Sequence, residues 1–150
     1  MEINKMQLHD VTDVYQLECE CFSVPWSENS IKEELSNTLA HFFVAKQGDK
    51  TIGYIGTHLV LDECSITNLA VTKGRRESGV GSRLLKVAIE NAKQADASFI
   101  TLEVRESNAI AILLYKKHGF ETKGIRKNFY EQPLEDGLIM TKSFKGEELT

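Results

Sequence analysis

The segment from residue 64 to residue 104 restricts the fold more than any other part of the sequence. Residues 64–71 (CSITNLAV) are β-prone, and residues 98–104 (SFITLEV) have the nearly all-apolar composition of a buried strand. Between these runs, two glycines precede an apolar stripe at helical spacing, formed by Leu84, Leu85, Ala88, Ile89 and Ala92. A strand, a helix over 82–94 and a second strand in this order predict a parallel crossover.

The flanking segments add further strands and helices to this unit. Strands are expected at 2–8, 41–46, 51–61, 120–126 and 138–142. Helices are expected after Asp10, after Ser27 or Ser30 with a Ser30–Glu33 capping box, and from a cap at Ser107 to Gly119. Together these elements predict a single-domain α/β (α+β) fold, with a mixed, mostly antiparallel central sheet flanked by about four helices.

The composition is ordinary for a globular protein, with 41% hydrophobic and 27% charged residues. We expect one domain at 1–145 and a short C-terminal tail at 146–150. The formal net charge is −4, and no basic tract is present, so the sequence gives no reason to expect direct contact with nucleic acid. An acidic surface does suit a basic partner.

The cysteines and histidines lack the spacing of a disulfide framework or a metal site. Cys19, Cys21 and Cys64 are odd in number and contain no Cys-x-x-Cys pair, and the four histidines are scattered. Met1 leads into no signal peptide, and no apolar run is long enough to cross a membrane. We therefore expect a cytoplasmic protein with ordinary reduced thiols, no metal and no membrane contact.

Gly79 and Gly81 stand where the predicted crossover turns from strand to helix. Glycine at a helix start weakens the helix by roughly 0.5–1 kcal/mol relative to alanine, so these positions need another explanation. One explanation is an anion site, because unpaired N–H groups and the helix dipole meet there and a missing side chain lets a phosphate approach. The other is a tight loop that needs positive φ angles. Ser82-Arg83 does not complete a Walker loop, and Leu84 replaces the third glycine of a dinucleotide fingerprint.

The pattern Arg-x-x-Gly-x-Gly at 76–81 resembles the pyrophosphate loop of the Gcn5-related N-acetyltransferases (GNAT), which bind acetyl-coenzyme A. The preceding "ITNLAV" and the following "RESNAIAILLYKKHGF" also resemble segments of that family. The resemblance spans nearly the whole chain and implies the GNAT fold. It also implies a set of acetyl-coenzyme A contacts: Leu69, Ala70, Val71, Arg76, Glu77, Ser78, Gly79, Val80, Gly81, Ser82 and Asn108.

Three further stretches are similar to one branch of the family, the RimI-type ribosomal-protein-alanine N-acetyltransferases. They are "FSVPWSENSI", "LEVRESN" and "RKNFYEQPLEDGLIM". This resemblance implies an enzyme that acetylates the N-terminal alanine of a small-subunit ribosomal protein, so its partner is that protein's N-terminal segment. The chain departs from the family pattern at residues 73–75, where Lys-Gly-Arg replaces an Asp-Pro approach. It departs again at Glu77, where a basic residue is usual and an acid should weaken the local positive field, and at Gly137, where alanine is common.

Acetyl transfer to an amine requires a base for the amine proton and an acid for the departing thiolate. Glu103 is the candidate base, since it lies on a predicted strand where a buried carboxylate is costly unless it is paired or used. Its alternative role is an ion pair with Arg105 or Arg126. The resemblance implies that Tyr115 is the acid, whereas its spacing alone favours a core aromatic residue. The resemblance also implies direct acetyl transfer in a ternary complex, without an acyl-enzyme on Cys64 or another thiol.

Some assignments stay open at the level of sequence. Trp26 either lines the acceptor groove or anchors its loop, and the same two roles apply to Tyr130 and Glu131. The acceptor could instead be another protein N-terminus or a small-molecule amine. A chain in which Glu103 and Tyr115 are inert would be a non-catalytic acyl-coenzyme A-binding module.

Overall fold

A seven-stranded mixed sheet with four α-helices forms the part of the chain that the computed structural model describes, residues 1–76 and 78–144. The strands are β1 (Glu2–Lys5), β2 (Ala40–Gln47), β3 (Lys50–Val60), β4 (Glu63–Val71), β5 (Phe99–Arg105), β6 (Glu121–Tyr130) and β7 (Glu135–Ser143). The helices are α1 (Val11–Cys21), α2 (Glu28–Glu34), α3 (Val80–Gln94) and α4 (Ala109–Lys117), with 3-10 turns at Leu8–Asp10 and Lys73–Arg75.

The strand order is β1-β2-β3-β4-β5-β7-β6, and every neighbouring pair is antiparallel except β4 and β5. The parallel pair is joined through α3, which confirms the crossover predicted from residues 64–104. The α/β fold class and the mixed, mostly antiparallel sheet are confirmed as well.

The two faces of the sheet bury separate apolar clusters. The stripe predicted on α3 is buried throughout and packs on one face, together with Ile100, Leu102 and Tyr115. The other face is covered by α1 and α2, whose Val14, Leu17 and Ile31 pack against it. The apolar residues of each helix recur at helical spacing and form one apolar face. Each helix packs this face against the sheet and exposes its opposite face to solvent.

Strand β5 corrects one expectation. Ile100, Leu102 and Val104 are buried, but the opposite face of the strand is open and Glu103 lies on it. The strand is therefore buried on one face only, and a carboxylate in its middle does not bear the full cost of burial.

One predicted helix cap was wrong, and of the two candidates for another the structure confirms Ser27 and not Ser30. Asn108 rather than Ser107 caps α4, since its side-chain oxygen accepts from the amide of Ala111 at 3.2 Å. Helix α2 is capped by Ser27, which accepts from the amide of Ser30 at 3.0 Å. The Ser30–Glu33 capping box therefore does not form, and Glu33 accepts from Asn29 instead.

The ends of the chain differ little from expectation. Strand β1 ends at Lys5 rather than residue 8, and β6 continues to Tyr130 because it pairs with β7 across a register shift. The expected tail at 146–150 lies outside the described residues.

Within the described residues, no helix combines the length and the apolar character needed to span a bilayer.

Candidate active site

The parallel strands β4 and β5 pair over three positions only, Glu63–Ser65 with Phe99–Thr101. Beyond these positions β4 continues to pair with β3 as far as Val71, and β5 with β7 as far as Arg105. No further pairs join β4 to β5 within the described residues. Their facing edges therefore carry backbone N–H and C=O groups that no strand uses, which is the arrangement that binds an extended ligand.

The loop after β4 ends at the N-terminus of α3, beside this open edge. Gly79 has φ of 85° in the left-handed region, and no side chain caps the helix. The first helical bond runs from the Arg83 amide to the Gly79 carbonyl at 3.1 Å. Among the described residues, none accepts from the amides of Val80, Gly81 or Ser82. These three donors and the helix dipole form an anion-binding corner.

The two glycines have different roles. Gly79 needs its positive φ, so the tight-loop explanation applies to it. Gly81 has an ordinary helical φ, and an added Cβ would meet Leu114 at 3.5 Å, a normal van der Waals distance. Neither backbone strain nor close packing accounts for Gly81. The anion-site explanation for Gly81 stays a prediction.

Several side chains of the predicted cofactor set are already engaged within the protein. The Arg76 guanidinium donates through Nε to the Val71 carbonyl at 2.9 Å and through Nη2 to Cys21 Sγ at 3.2 Å. The Ser78 hydroxyl donates to the Arg75 carbonyl at 2.5 Å. The Ser82 hydroxyl lies 2.7 Å from His118 Nε2. This loop can therefore offer a ligand mainly its backbone, and Glu77 lies outside the described residues.

Glu103 faces the open side of β5 and forms one of the two ion pairs considered for it. Arg126 Nε lies 3.1 Å from Glu103 Oε1, and the Glu103 side chain is 33% exposed. Arg105 pairs with Glu135 at 3.2 Å and also donates to the carbonyls of Glu131 and Pro133, both at 2.9 Å. A surface pair of this kind is worth less than about 1 kcal/mol, so it leaves Glu103 accessible to a second partner.

Tyr130 lies within electrostatic reach of Glu103, and Tyr115 lies within reach of Tyr130. Burial raises the pKa of Tyr130 to about 12, and the charge of Glu103 adds to this effect. The Arg105 guanidinium lies 4.6 Å from the centre of the Tyr130 ring. Burial also raises the pKa of Tyr115, with a smaller contribution from Tyr130. Tyr130 therefore interacts with both groups, whereas Tyr115 belongs to the core cluster of Ile100 and Leu102, on the face of β5 opposite Glu103.

Tyr115 packs as a core aromatic residue, and its role as the acid stays a prediction. It is only 7% exposed and packs against Phe120 with ring centres 5.7 Å apart, as a core aromatic residue does. Among the described residues, none forms a hydrogen bond with its hydroxyl group. A phenol with a raised pKa stays protonated at neutral pH, so this group can still donate a proton to a bound ligand.

The remaining candidates serve mainly to shape the site. Asn108 uses its side-chain oxygen to cap α4, which leaves its amide NH2 as the available donor. Trp26 is half-buried against Phe42, with ring centres 6.3 Å apart, so it anchors the α1–α2 loop. Among the described residues, no group of three or more His, Cys, Asp and Glu could hold a metal ion.

Glu18 is a site-shaping residue that sequence reasoning missed. It is 1% exposed, and its carboxyl oxygens accept from the Tyr54 hydroxyl, from Asn68 Nδ2 at 3.1 Å and from the Trp26 amide at 2.9 Å. It thereby fixes the end of the α1–α2 loop against the sheet. The available signal was an acidic residue in the apolar stripe of α1, at helical spacing from Val11 and Val14.

Comparison with known proteins gives consistent matches over most of the chain. Residues 11–120 match the model of the acetyltransferase (GNAT) family. The ribosomal protein bS18-alanine N-acetyltransferase of Escherichia coli (strain K12) is 33% identical over 140 residues, 92% of this chain and 94% of that one. A relative from Bacillus subtilis (strain 168), to which the same name is given provisionally, is 40% identical to this chain over 139 residues, 92% of each chain.

A solved structure agrees with these matches. The crystal structure of the ribosomal-protein-S18-alanine N-acetyltransferase from Escherichia coli superposes with a TM-score of 0.88 at 31% identity. The superposition covers 95% of this chain and 92% of that one.

Proposed function

Because this chain belongs to the acetyltransferase (GNAT) family and is an acyltransferase, we propose that it transfers an acetyl group from acetyl-coenzyme A to the N-terminal alanine of ribosomal protein bS18. The resemblance to the family and to its ribosomal-protein-alanine branch, inferred from three sequence stretches, is confirmed by these matches. The observation that carries the proposal is the open edge between β4 and β5, with free amides at one end and Glu103 on the facing strand.

The open edge suits the extended arm of acetyl-coenzyme A. The pantetheine arm contains amide groups, which can pair with the backbone groups of Leu69 and the amide of Val71 at the open edge, as an added strand would, whereas the Val71 carbonyl is already used by Arg76. The pyrophosphate would then reach the amides of Val80, Gly81 and Ser82, where the helix dipole favours negative charge. This binding uses backbone donors, which fits a loop whose side chains are already engaged.

The chemistry begins with the acceptor amine. An α-amino group has an ordinary pKa of about 7.7–8.0, so part of it is protonated at neutral pH and cannot attack. Glu103 accepts the proton through a bridging water, and the neutral nitrogen attacks the thioester carbonyl. A C–N bond forms and the C–S bond breaks, with Tyr115 donating its proton to the leaving thiolate. Glu103 passes the ammonium proton to solvent, and the second proton, which the nitrogen loses as the amide forms, returns to Tyr115 through water. The reaction therefore balances with one proton released to solvent and without an acyl-enzyme.

The amine would approach between the α1–α2 loop and the β6–β7 turn. The Glu18 network fixes the first of these loops, and the contacts of Arg105 with the carbonyls of Glu131 and Pro133 fix the second. A groove of this kind between two fixed walls favours a small first residue such as alanine. The acidic balance of the chain, with 22 acidic against 18 basic residues, is compatible with a basic N-terminal segment.

The proposal is tested with synthetic peptides that carry the bS18 N-terminal sequence. Peptides beginning with alanine or leucine are incubated with acetyl-coenzyme A, thiol release is measured, and the modified nitrogen is located by mass spectrometry. We expect acetylation of the α-amino group, faster for alanine than for leucine. Modification of lysine side chains, or equal rates for the two peptides, would refute the acceptor specificity. Acetylation of small amines alone would point to the second acceptor class, and binding without any thiol release would indicate a non-catalytic module.

A further inference from the structure

The last turn of α1 contacts the loop that leads from β4 to α3. Glu20 Oε2 accepts from the backbone amide of Lys73 at 2.7 Å, and Glu20 Oε1 accepts from the Thr72 hydroxyl at 3.0 Å. These bonds join segments that are more than fifty positions apart in the sequence. Glu20 belongs neither to the apolar stripe of α1 nor to any motif singled out in the sequence.

The Glu20 carboxylate acts as a cap for the 3-10 turn at Lys73–Arg75. Thr72 precedes this turn, and its own side chain makes no capping bond, so the first amide of the turn is satisfied from α1. The hydrogen bond from the Lys73 amide holds the pKa of Glu20 below its ordinary value, although slight desolvation of this exposed group opposes the effect. The group is therefore ionised at neutral pH and makes charge-assisted bonds, which are stronger than neutral ones.

The neighbouring Cys21 reinforces the same contact. Its thiol lies 3.5 Å from the Val71 carbonyl and 3.2 Å from the Arg76 guanidinium, which itself binds the Val71 carbonyl. The end of α1 thus contacts both ends of the segment 71–76. This segment leads directly to Gly79 and to the free amides at the start of α3.

We propose that Glu20 is a positioning residue for the pyrophosphate-binding loop, residues 76–82. By fixing Thr72 and Lys73, it sets where the free amides of α3 stand relative to the open edge of β4. Both parts of the cofactor must be bound at once, so an error of an ångström between these sites lowers affinity. The inference deepens the proposed function and rests on acetyl-coenzyme A binding at this loop.

The effects expected for substitutions of Glu20 distinguish a positioning role from a contribution to general stability. Removal of the carboxylate in Glu20→Ala should raise the Kd and KM for acetyl-coenzyme A by about tenfold, equivalent to about 1.4 kcal/mol. The KM for the acceptor peptide and kcat should change much less, because Glu103 and Tyr115 stand on β5 and α4. Glu20→Gln keeps an oxygen acceptor but loses the charge, so it should fall between the wild type and Glu20→Ala.

The test titrates coenzyme A calorimetrically into the wild type, Glu20→Ala, Glu20→Gln and the control Glu90→Ala, and measures initial rates for each. Glu90 is exposed on α3 and contacts only Gln94, at 3.4 Å, among the described residues. A graded loss of affinity at Glu20, with Glu90→Ala like the wild type, supports the inference. Equal Kd values for Glu20→Ala and Glu90→Ala overturn it.

Two further outcomes are distinguishable. If Glu20→Ala does not fold, as judged by circular dichroism, Glu20→Gln decides, and a Kd equal to that of Glu90→Ala overturns the inference. If the wild type itself does not bind coenzyme A, the proposed function fails first and the inference fails with it.

Discussion

Glu103 carries the most demanding step of the proposed reaction, the removal of a proton from the acceptor amine. We expect Glu103→Gln to lower turnover at pH 7 by about 10²–10⁴-fold, because general bases typically contribute that much. Binding of acetyl-coenzyme A should change little. Raising the pH should recover part of the loss, since more of the amine becomes neutral without help. Initial rates between pH 7 and pH 9, with Glu121→Gln as an exposed control, check this.

The competing role for Glu103 is the ion pair with Arg126. If the carboxylate serves only that pair, Glu103→Gln and Arg126→Gln should shift the melting temperature by the same small amount and leave turnover unchanged. A surface pair contributes less than about 1 kcal/mol, so this outcome is easily recognised.

Tyr115 can be tested by removing its hydroxyl group alone. Tyr115→Phe keeps the ring that packs against Phe120, so the melting temperature should stay nearly the same. Turnover should fall by about 10²-fold or more if the phenol protonates the thiolate. Rates normalised to folded protein, beside calorimetric melting curves, separate the roles. A drop in stability with unchanged turnover would assign Tyr115 to the core only.

Tyr54 tests the buried network around Glu18. Burial, together with the neighbouring Glu18, raises the pKa of Tyr54 above its ordinary value of about 10. Tyr54→Phe removes a donor from a carboxyl group that is 1% exposed, which should lower the free energy of unfolding by about 1–3 kcal/mol. Urea denaturation at pH 7 measures this value, and an unchanged midpoint would contradict it.

The same tyrosine gives a pH dependence with a definite sign. Above about pH 10 the unfolded chain releases the Tyr54 proton while the folded chain keeps it, so folding binds a proton there. Its contribution is therefore complete below that pH and is lost as the pH rises. Wild type should lose stability between pH 9 and pH 11 more steeply than Tyr54→Phe.

At the scale of elements, the sequence predicts best what short-range periodicity controls. The stripe on α3 and the crossover follow from spacing within a few turns, and both are present in the structure. The cap at Ser107 was wrong, and the choice between Ser27 and Ser30 stayed open, because a neighbouring residue offers an equivalent oxygen and only the entry angle of the chain decides between them. Local spacing marks Glu18 as an acidic residue in the apolar stripe of α1, but Tyr54 and Asn68, which it binds, lie in distant segments, as does Lys73, which binds Glu20, so no local pattern could identify these partners.

The start of α3 gives the prediction that belongs to this scale. Gly81→Glu should weaken acetyl-coenzyme A binding strongly while the fold stays intact, because a carboxylate would stand close to the amides to which we assign the pyrophosphate. Gly81→Ala is the matched control, since its Cβ would meet Leu114 at an ordinary 3.5 Å and adds no charge. Calorimetric titration of both variants tests the assignment, and wild-type affinity in a folded Gly81→Glu would remove it.

At the scale of the whole molecule, the sheet consists of two parts that share only three paired positions. Strands β1 to β4 form one part and β5 to β7 the other, joined by Glu63–Ser65 and Phe99–Thr101 and by the core around α3. The site lies where the parts separate, so its residues come from both. Sequence periodicity could place Glu103 on a strand and Tyr115 on a helix. The separation of β4 from β5 follows from three-dimensional packing, so periodicity could not predict it.

This division predicts how the protein responds to its cofactor. Coenzyme A would bind the free edge of β4 and the start of α3, so it stabilises the folded state without binding the unfolded chain. At a free concentration one hundred times its Kd, such a ligand adds about 2.7 kcal/mol to the free energy of unfolding. For a domain of this size each kilocalorie raises the melting temperature by about 2–4 °C, so the expected shift is about 5–11 °C. Calorimetric melting of the wild type and of Gly81→Glu, each with and without coenzyme A, measures it. An equal shift in the two proteins would mean that coenzyme A binds away from the start of α3.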